Sequence, residues 1–232
     1  MAKKTISGFS YELLRSSVGS GLNRAYRQVR VDPDKYLHHL RRAHRLPIAT
    51  WEDAIQLSPG AIRPHAEKII RGSARAAALE GMGLGFGGVF TAVPDMGILS
   101  AITIRLLQKL SLLHGFRYAT EDEVVELWVA AASAAGLDLG RDFLEKQAIE
   151  RLVPRIIDLI ATKISADFAE KWAGSLVPIL SAGAGGALNY YFVRAWGRRA
   201  QRHFAERHSI LHADSLAYPA LLTSGAHASH AR

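Results

Sequence analysis

Gly83-x-Gly85-x-x-Gly88 has the spacing of a dinucleotide-binding loop. That chemistry needs a strand before the glycines, a helix after them and an acid about twenty residues on for the ribose. Here helix formers precede the glycines, and no Asp or Glu lies between Asp95 and Glu121. No Lys-Ser or Lys-Thr follows for a phosphate loop either, so nucleotide binding is not expected. Asp95, beside Pro94, is the only charge between Gly81 and Ile104. A carboxylate in so apolar a stretch is costly to bury without partners. The favoured reading is that it caps the helix opening there; the sharper one is a perturbed, functional carboxyl. Asn189 sits in a second uncharged stretch and reads as a buried hydrogen-bonding crosslink before a ligand contact. Asp95 and Asn189 are thus the ligand-binding or structural candidates.

Ten histidines invite a metal reading, but their spacing does not support it. His208 and His212 are four apart near Asp214, where the sequence reads as a disordered tail. His38, His39 and His44 do not share a helical face. Without an HExxH spacing or a triad, no metal and no cofactor are expected. There is no GxSxG, and the chain has no cysteine, which removes thiolate nucleophiles and disulfides together. No catalytic residue is assigned. Arg194, Arg198, Arg199 and Arg202 lie along one helix and are the candidates for an anionic surface, against a solvated face as the plain alternative.

The elements that would position these residues are helices. Asp32-Pro33 is an N-cap followed by proline at the first helical position. Thr50-Trp51-Glu52-Asp53 and Thr120-Glu121-Asp122-Glu123 are capped starts, the second a capping box. Pro47, Pro59, Gly60 and Pro64 break the chain into short pieces, with a soft boundary near Gly60. Residues 65–80 are helix formers throughout. A long aliphatic helix follows Pro94 and stops at Gly115, another ends at Gly136, and Pro154 kinks or restarts a further one. Near the N-terminus, Phe9, Leu13, Leu14, Val18, Leu22 and Val29 fall on a helical period. No run of period-two strands occurs. The expectation is an all-α, single bundle-like domain with a central pair of Gly-rich apolar segments. Its organisation is an amphipathic arm over 1–30, short helices and turns over 31–64, a main domain over 65–208 and a disordered tail over 209–232.

Length and composition agree with this. The chain has 232 residues, 49% hydrophobic and 22% charged, and a formal net charge of +8. The balance raises the odds of an anionic partner without choosing one. Two nearly uncharged stretches invite the transmembrane rule. Pro94 and Asp95 interrupt the first, where a central Asp costs about 2.5–3.5 kcal/mol. The second, Trp172 to Val193, is rich in Gly, Ala and Ser and only modestly apolar. Small residues four apart, such as Gly81 and Gly85 or Gly183 and Ala187, let helices approach closely in a core as well as in a bilayer. A helical core is the first reading, peripheral association the second.

Val93-Pro94-Asp95 after a Gly-rich stretch, and His114-Gly115-Phe116 after a long aliphatic helix, resemble the EcsC family. So do Val177-Pro178, the run Gly183 to Tyr190, and Gly197-Arg198-Arg199-Ala200. The resemblance covers His65 to His208. It implies a bacterial helical domain of poorly defined function, from a family named for the third gene of an operon that also encodes an ABC transporter. It supplies no catalytic residues. The expected role is non-enzymatic, in the cytoplasm and peripheral to the inner membrane, with an anionic phospholipid surface and a protein partner at the membrane. No nucleic acid is expected. A module holding an apolar small molecule or lipid between its helices is the alternative, and a hydrolase is the third.

Overall fold

The local signals at the helix starts do what their chemistry requires. In the computed structural model, which describes residues 2–84, 92–139, 149–173 and 182–217, the Asp32 carboxylate accepts from the Lys35 amide and opens a helix at Pro33. Thr50 and Asp53 form a reciprocal capping box, as do Thr120 and Glu123. Each box satisfies amides that the first turn leaves without partners. The helix ends are equally local. Gly115 and Gly136 adopt φ of +89° and +84°, and the amides of Phe116 and Leu137 bond back to Ser111 and Ala132. That is the left-handed cap that glycine allows without strain.

Eight described helices result: α1 (Ala2–Gln28), α2 (Pro33–Ala43), α3 (Trp51–Gln56), α4 (Pro59–Leu84), α5 (Ala92–Leu113), α6 (Glu121–Ala134), α7 (Ile149–Ala173) and α8 (Ala182–Ala217). No strand occurs among the described residues, and the fold is all-α. The apolar α5 is central, touching α1, α2, α4, α6 and α8, and the most extensive contact joins α4 to α8. Ile70, Leu106, Leu110, Trp128 and Phe204 are fully buried in this core. At Gly197 the helices come so close that a Cβ would lie 2.8 Å from Leu106 Cδ2 and 3.2 Å from Ile70. The small residue is there for helix contact.

Several boundaries differ from the sequence reading. Pro64 lies inside α4 and does not break it. It falls near the helix start, where its missing amide removes one intrahelical bond, and good helix formers follow. The soft boundary near Gly60 therefore falls within a continuous helix. Pro154 is likewise contained in α7. The N-terminal helix lies against α5 and α7 and buries Val18, Leu22 and Ala25; the side chains of residues 1–10, Phe9 among them, lie outside the described residues. At the other end α8 runs on to Ala217, so the disordered tail does not begin at Ser209. Most of the Gly-rich stretches, including Gly85, Gly88, Val177 and Pro178, and the side chain of Asp95 lie outside the described residues.

Candidate functional site

Three helices converge on a cationic cavity. The link between α1 and α2 is fixed to α5 by Gln108, which accepts from the Val31 amide at 2.9 Å and donates to the Val29 carbonyl at 3.0 Å. Tyr118 adds a hydroxyl bond to the Val31 carbonyl. These bonds set the height of α2 against α5 and carry Tyr36 and His39 toward Lys109, the neighbour of Gln108. From α4 come His65, Lys68, Ile69, Gly72 and Ser73, whose spacing places them on one helical face. The chain leaves α2 at His44, and Arg45 takes φ of +54° to turn it away. The cavity so enclosed has a volume of about 190 Å³ and is lined by Tyr36, His39, His44, Lys68, Ile69, Gly72, Ser73 and Lys109. A Cβ at Gly72 would meet nothing within 4 Å, so part of the space exists because that residue has no side chain.

The electrostatics of this cavity are one-sided. No carboxylate lines it, and neither Lys68 nor Lys109 is paired with any described residue. Burial, and secondarily Arg105, lowers the Lys109 pKa from its usual value. His44 and His65 approach through their Nδ1 atoms at 3.2 Å, so one ring donates and the other accepts. Burial first, then Lys68, holds His44 down to about 4 and lowers His65. Both rings are therefore neutral near pH 7. The Tyr36 side chain is buried at 6% exposure, and its hydroxyl has no partner. Burial raises its pKa, leaving it a neutral donor.

The outer side of α2 borders a broader, open concavity of about 680 Å³ containing His38, Arg41, Arg42, Arg45 and Asp53. Asp53 is turned to the capping box, accepting from the amides of Ala49 and Thr50 at 2.7 and 2.9 Å. The three arginines are exposed and unpaired among the described residues.

A second histidine group gathers just past the C-terminal end of α5, little more than one turn beyond Lys109. His208 is fully buried, with Nδ1 3.0 Å from the His114 carbonyl and Nε2 2.8 Å from the Leu57 carbonyl. His114 Nδ1 faces the Leu110 carbonyl at 2.7 Å, and His212 Nδ1 faces the Ile55 carbonyl at 3.1 Å. These rings tie α3, α5 and α8 together. Among the described residues, no group of three His, Asp or Glu side chains could hold a metal ion.

The residues singled out from the sequence are placed elsewhere. Asn189 is half-buried on α8 and already engaged. Arg194 donates to the Tyr190 hydroxyl at 3.3 Å. Arg198 reaches both oxygens of Glu67 at 3.3 and 3.4 Å, and Arg199 donates to the Ala134 carbonyl at 2.9 Å. Arg202 is exposed. Much of the arginine helix thus serves internal contacts. Sequence reasoning weighed His39 and His44 only for metal, read Tyr36 as an inward residue of α2, and singled out none of His65, Lys68 and Lys109. The signal available was the spacing of His65, Lys68, Gly72 and Ser73, polar or small positions on one face of a segment read only as good helix former.

Comparison with protein families shows that residues 24–208 fit the model of the EcsC protein family. The match starts well before His65, taking in the end of α1 together with α2 and α3. No curated protein matches, and no solved structure does.

Proposed function

Taking as premise that the chain belongs to the EcsC protein family, we propose that it is a non-enzymatic protein that attaches peripherally to an anionic phospholipid surface, at the inner face of the cytoplasmic membrane. The observation that carries this reading is the exposed, unpaired set Arg41, Arg42 and Arg45 beside an open concavity at the end of α2. Each basic side chain near an anionic leaflet contributes about 1 kcal/mol, and the attraction fades within a Debye length. The attachment is therefore electrostatic, set by α2 in place of the arginines of α8. No described helix is long and apolar enough to cross a membrane. A protein partner at the membrane would dock beside the same surface.

The alternative of an apolar ligand between helices finds less support, because the cavity at α2, α4 and α5 is edged by lysines, imidazoles and hydroxyls. The hydrolase reading rested on Asp95, whose side chain is outside the described residues. Flotation with neutral and anionic vesicles at low and high salt tests the proposal. Wild type should float only with anionic vesicles and only at low salt, and the triple substitution Arg41→Gln, Arg42→Gln, Arg45→Gln should abolish it. Equal flotation of wild type and triple variant, or none by wild type, overturns it.

A further inference from the structure

We propose that the cavity between α2, α4 and α5 is a binding site for a phosphate group presented as a phosphomonoester. Lys68 and Lys109 supply the charge, the Tyr36 and Ser73 hydroxyls supply neutral donors, and the His44–His65 pair supplies an imidazole N–H. The inference goes beyond membrane attachment and does not require it, since a free phosphate and a lipid headgroup share this chemistry.

Three independent observations meet here. Lys68 and Lys109 line the cavity with no carboxylate beside them, a charge that an entering anion would balance. The Tyr36 hydroxyl, like the Ser165 hydroxyl and His114 Nε2 elsewhere, is buried and unpartnered, and Tyr36 alone of these three lines the cavity, where a ligand could take its hydrogen bond. His44 lines the cavity, and its Nδ1 pairs with that of His65, so one ring donates and the other accepts. The ring that accepts at Nδ1 must carry its proton on Nε2, which leaves it a donor. Two ammonium groups, two hydroxyls and an imidazole suit three terminal oxygens better than the two of a carboxylate. A divalent cation is excluded by the same lysines. The open floor at Gly72 gives the group carried by the phosphate a way out toward solvent.

The test follows the His44 and His65 imidazole resonances in the full chain. Probes are inorganic phosphate, glycerol phosphate, and vesicles of phosphatidylcholine containing either phosphatidate or phosphatidylglycerol. Saturable shifts with inorganic phosphate and glycerol phosphate are expected. They should weaken at least about tenfold in Lys109→Met and in Tyr36→Phe, as for loss of a charge-assisted hydrogen bond. Lys68→Gln alters an exposed side chain and serves if the buried variants fail to fold. Response to phosphatidate vesicles but not to the soluble probes assigns the phosphate to a lipid and upholds the site. The Arg41→Gln, Arg42→Gln, Arg45→Gln variant, expected to lose vesicle attachment, should still bind inorganic phosphate, so the two proposals fail separately. Unmoved imidazole resonances with every probe, or equal binding by wild type and the three single variants, overturn the site.

Discussion

Between α2 and α4, His44 and His65 meet at 3.2 Å in a cavity edged by Lys68 and Lys109. Just past the C-terminus of α5, little more than one turn beyond Lys109, His114 and His208 pack ring against ring at 5.8 Å, and carbonyls of Leu57, Leu110 and His114 face three of their nitrogens. One set of imidazoles faces cations and open space; the other faces backbone acceptors in a closed core. The same side chain is thus a crosslink where acceptors surround it and an anion donor where cations do. Residue type alone does not separate the two, but the partners do. Perturbing the first region should change binding and spare the fold, and perturbing the second should do the reverse.

The largest effect is expected at His208. A neutral imidazole has one N–H between the Leu57 and His114 carbonyls, so replacement by Leu removes one donor, at about 1–3 kcal/mol, and the change of shape in a closed core adds about 1–3 kcal/mol. The combined loss should be about 3–5 kcal/mol, a fall in Tm of about 10 °C for a domain of this size. Thermal denaturation followed by circular dichroism measures it, with phosphate binding by the folded protein unchanged. A Tm within about 2 °C of wild type would remove the distinction between the regions.

Acid should separate them next. Burial holds His114 down to about 4, against an ordinary 6.5. Between these values the folded protein binds fewer protons than the unfolded chain, so stability falls as pH drops from 6.5 to 4. His114 alone accounts for about 3 kcal/mol of that loss. His44 moves in the same direction over the same window, with His39, His65, Lys68 and Lys109 all opposing its protonation. A bound phosphate would reverse that environment for His44 and leave His114 untouched. Urea unfolding at pH 7 and pH 4.5, with phosphate or chloride at equal ionic strength, should show a partial rescue by phosphate. His114→Phe should flatten the profile that remains. Identical acid profiles in the two salts would place His44 outside any anion site.

Gly115 sharpens the structural half at a smaller scale. Its φ of +89° disfavours a side chain, and a Cβ would meet Ile55 Cγ1 at 2.7 Å. Gly115→Ala should cost about 2 kcal/mol, measurable as a shifted urea midpoint with an unchanged slope. The contact links the end of α5 to α3, so the variant also tests whether His208 and His212 depend on that junction. Unaltered His208 and His212 resonances in the variant would confine the damage to the turn.

How much of this was legible beforehand follows from the range of each interaction. Thr50 with Asp53, Thr120 with Glu123 and Asp32 with Lys35 act within one turn, and the sequence displays them whole. The stop at Gly115 is equally local. The length of α8 was hidden because its inward positions after Phe204 are His208, His212 and Ser215. They keep the helical spacing but carry polar side chains, so the apolar period stops while the helix continues. The internal roles of Arg198 and Arg199 are hidden in the sequence because their partners are distant: Glu67 is 131 residues from Arg198, and Ala134 is 65 from Arg199. The cavity was least legible of all. Tyr36, His65 and Lys109 come from three helices, and contacts distant in sequence, such as the clamp of Gln108 on the α1–α2 link, bring them together.

The smallest effect is the most discriminating, because its sign is opposite. Lys109 is half-buried, and burial first, then Arg105, disfavours its charge. Met keeps the aliphatic stem and removes the charge. Lys109→Met should therefore stabilise the protein by about 0.5 kcal/mol, a small figure because solvent screens a group this open. Tyr36→Phe removes an unpartnered hydroxyl and should be neutral or slightly stabilising. A residue kept for folding does not behave this way; a residue kept for a ligand does, since binding groups are commonly held at some cost to stability. Urea midpoints of the two variants in phosphate-free buffer provide the measurement. A loss of 1 kcal/mol or more in either would make the cavity wall part of the fold's support and erase its contrast with the His114–His208 core. A gain in phosphate-free buffer, turning to a relative loss once phosphate is added, would tie the instability of the empty cavity directly to the anion it binds.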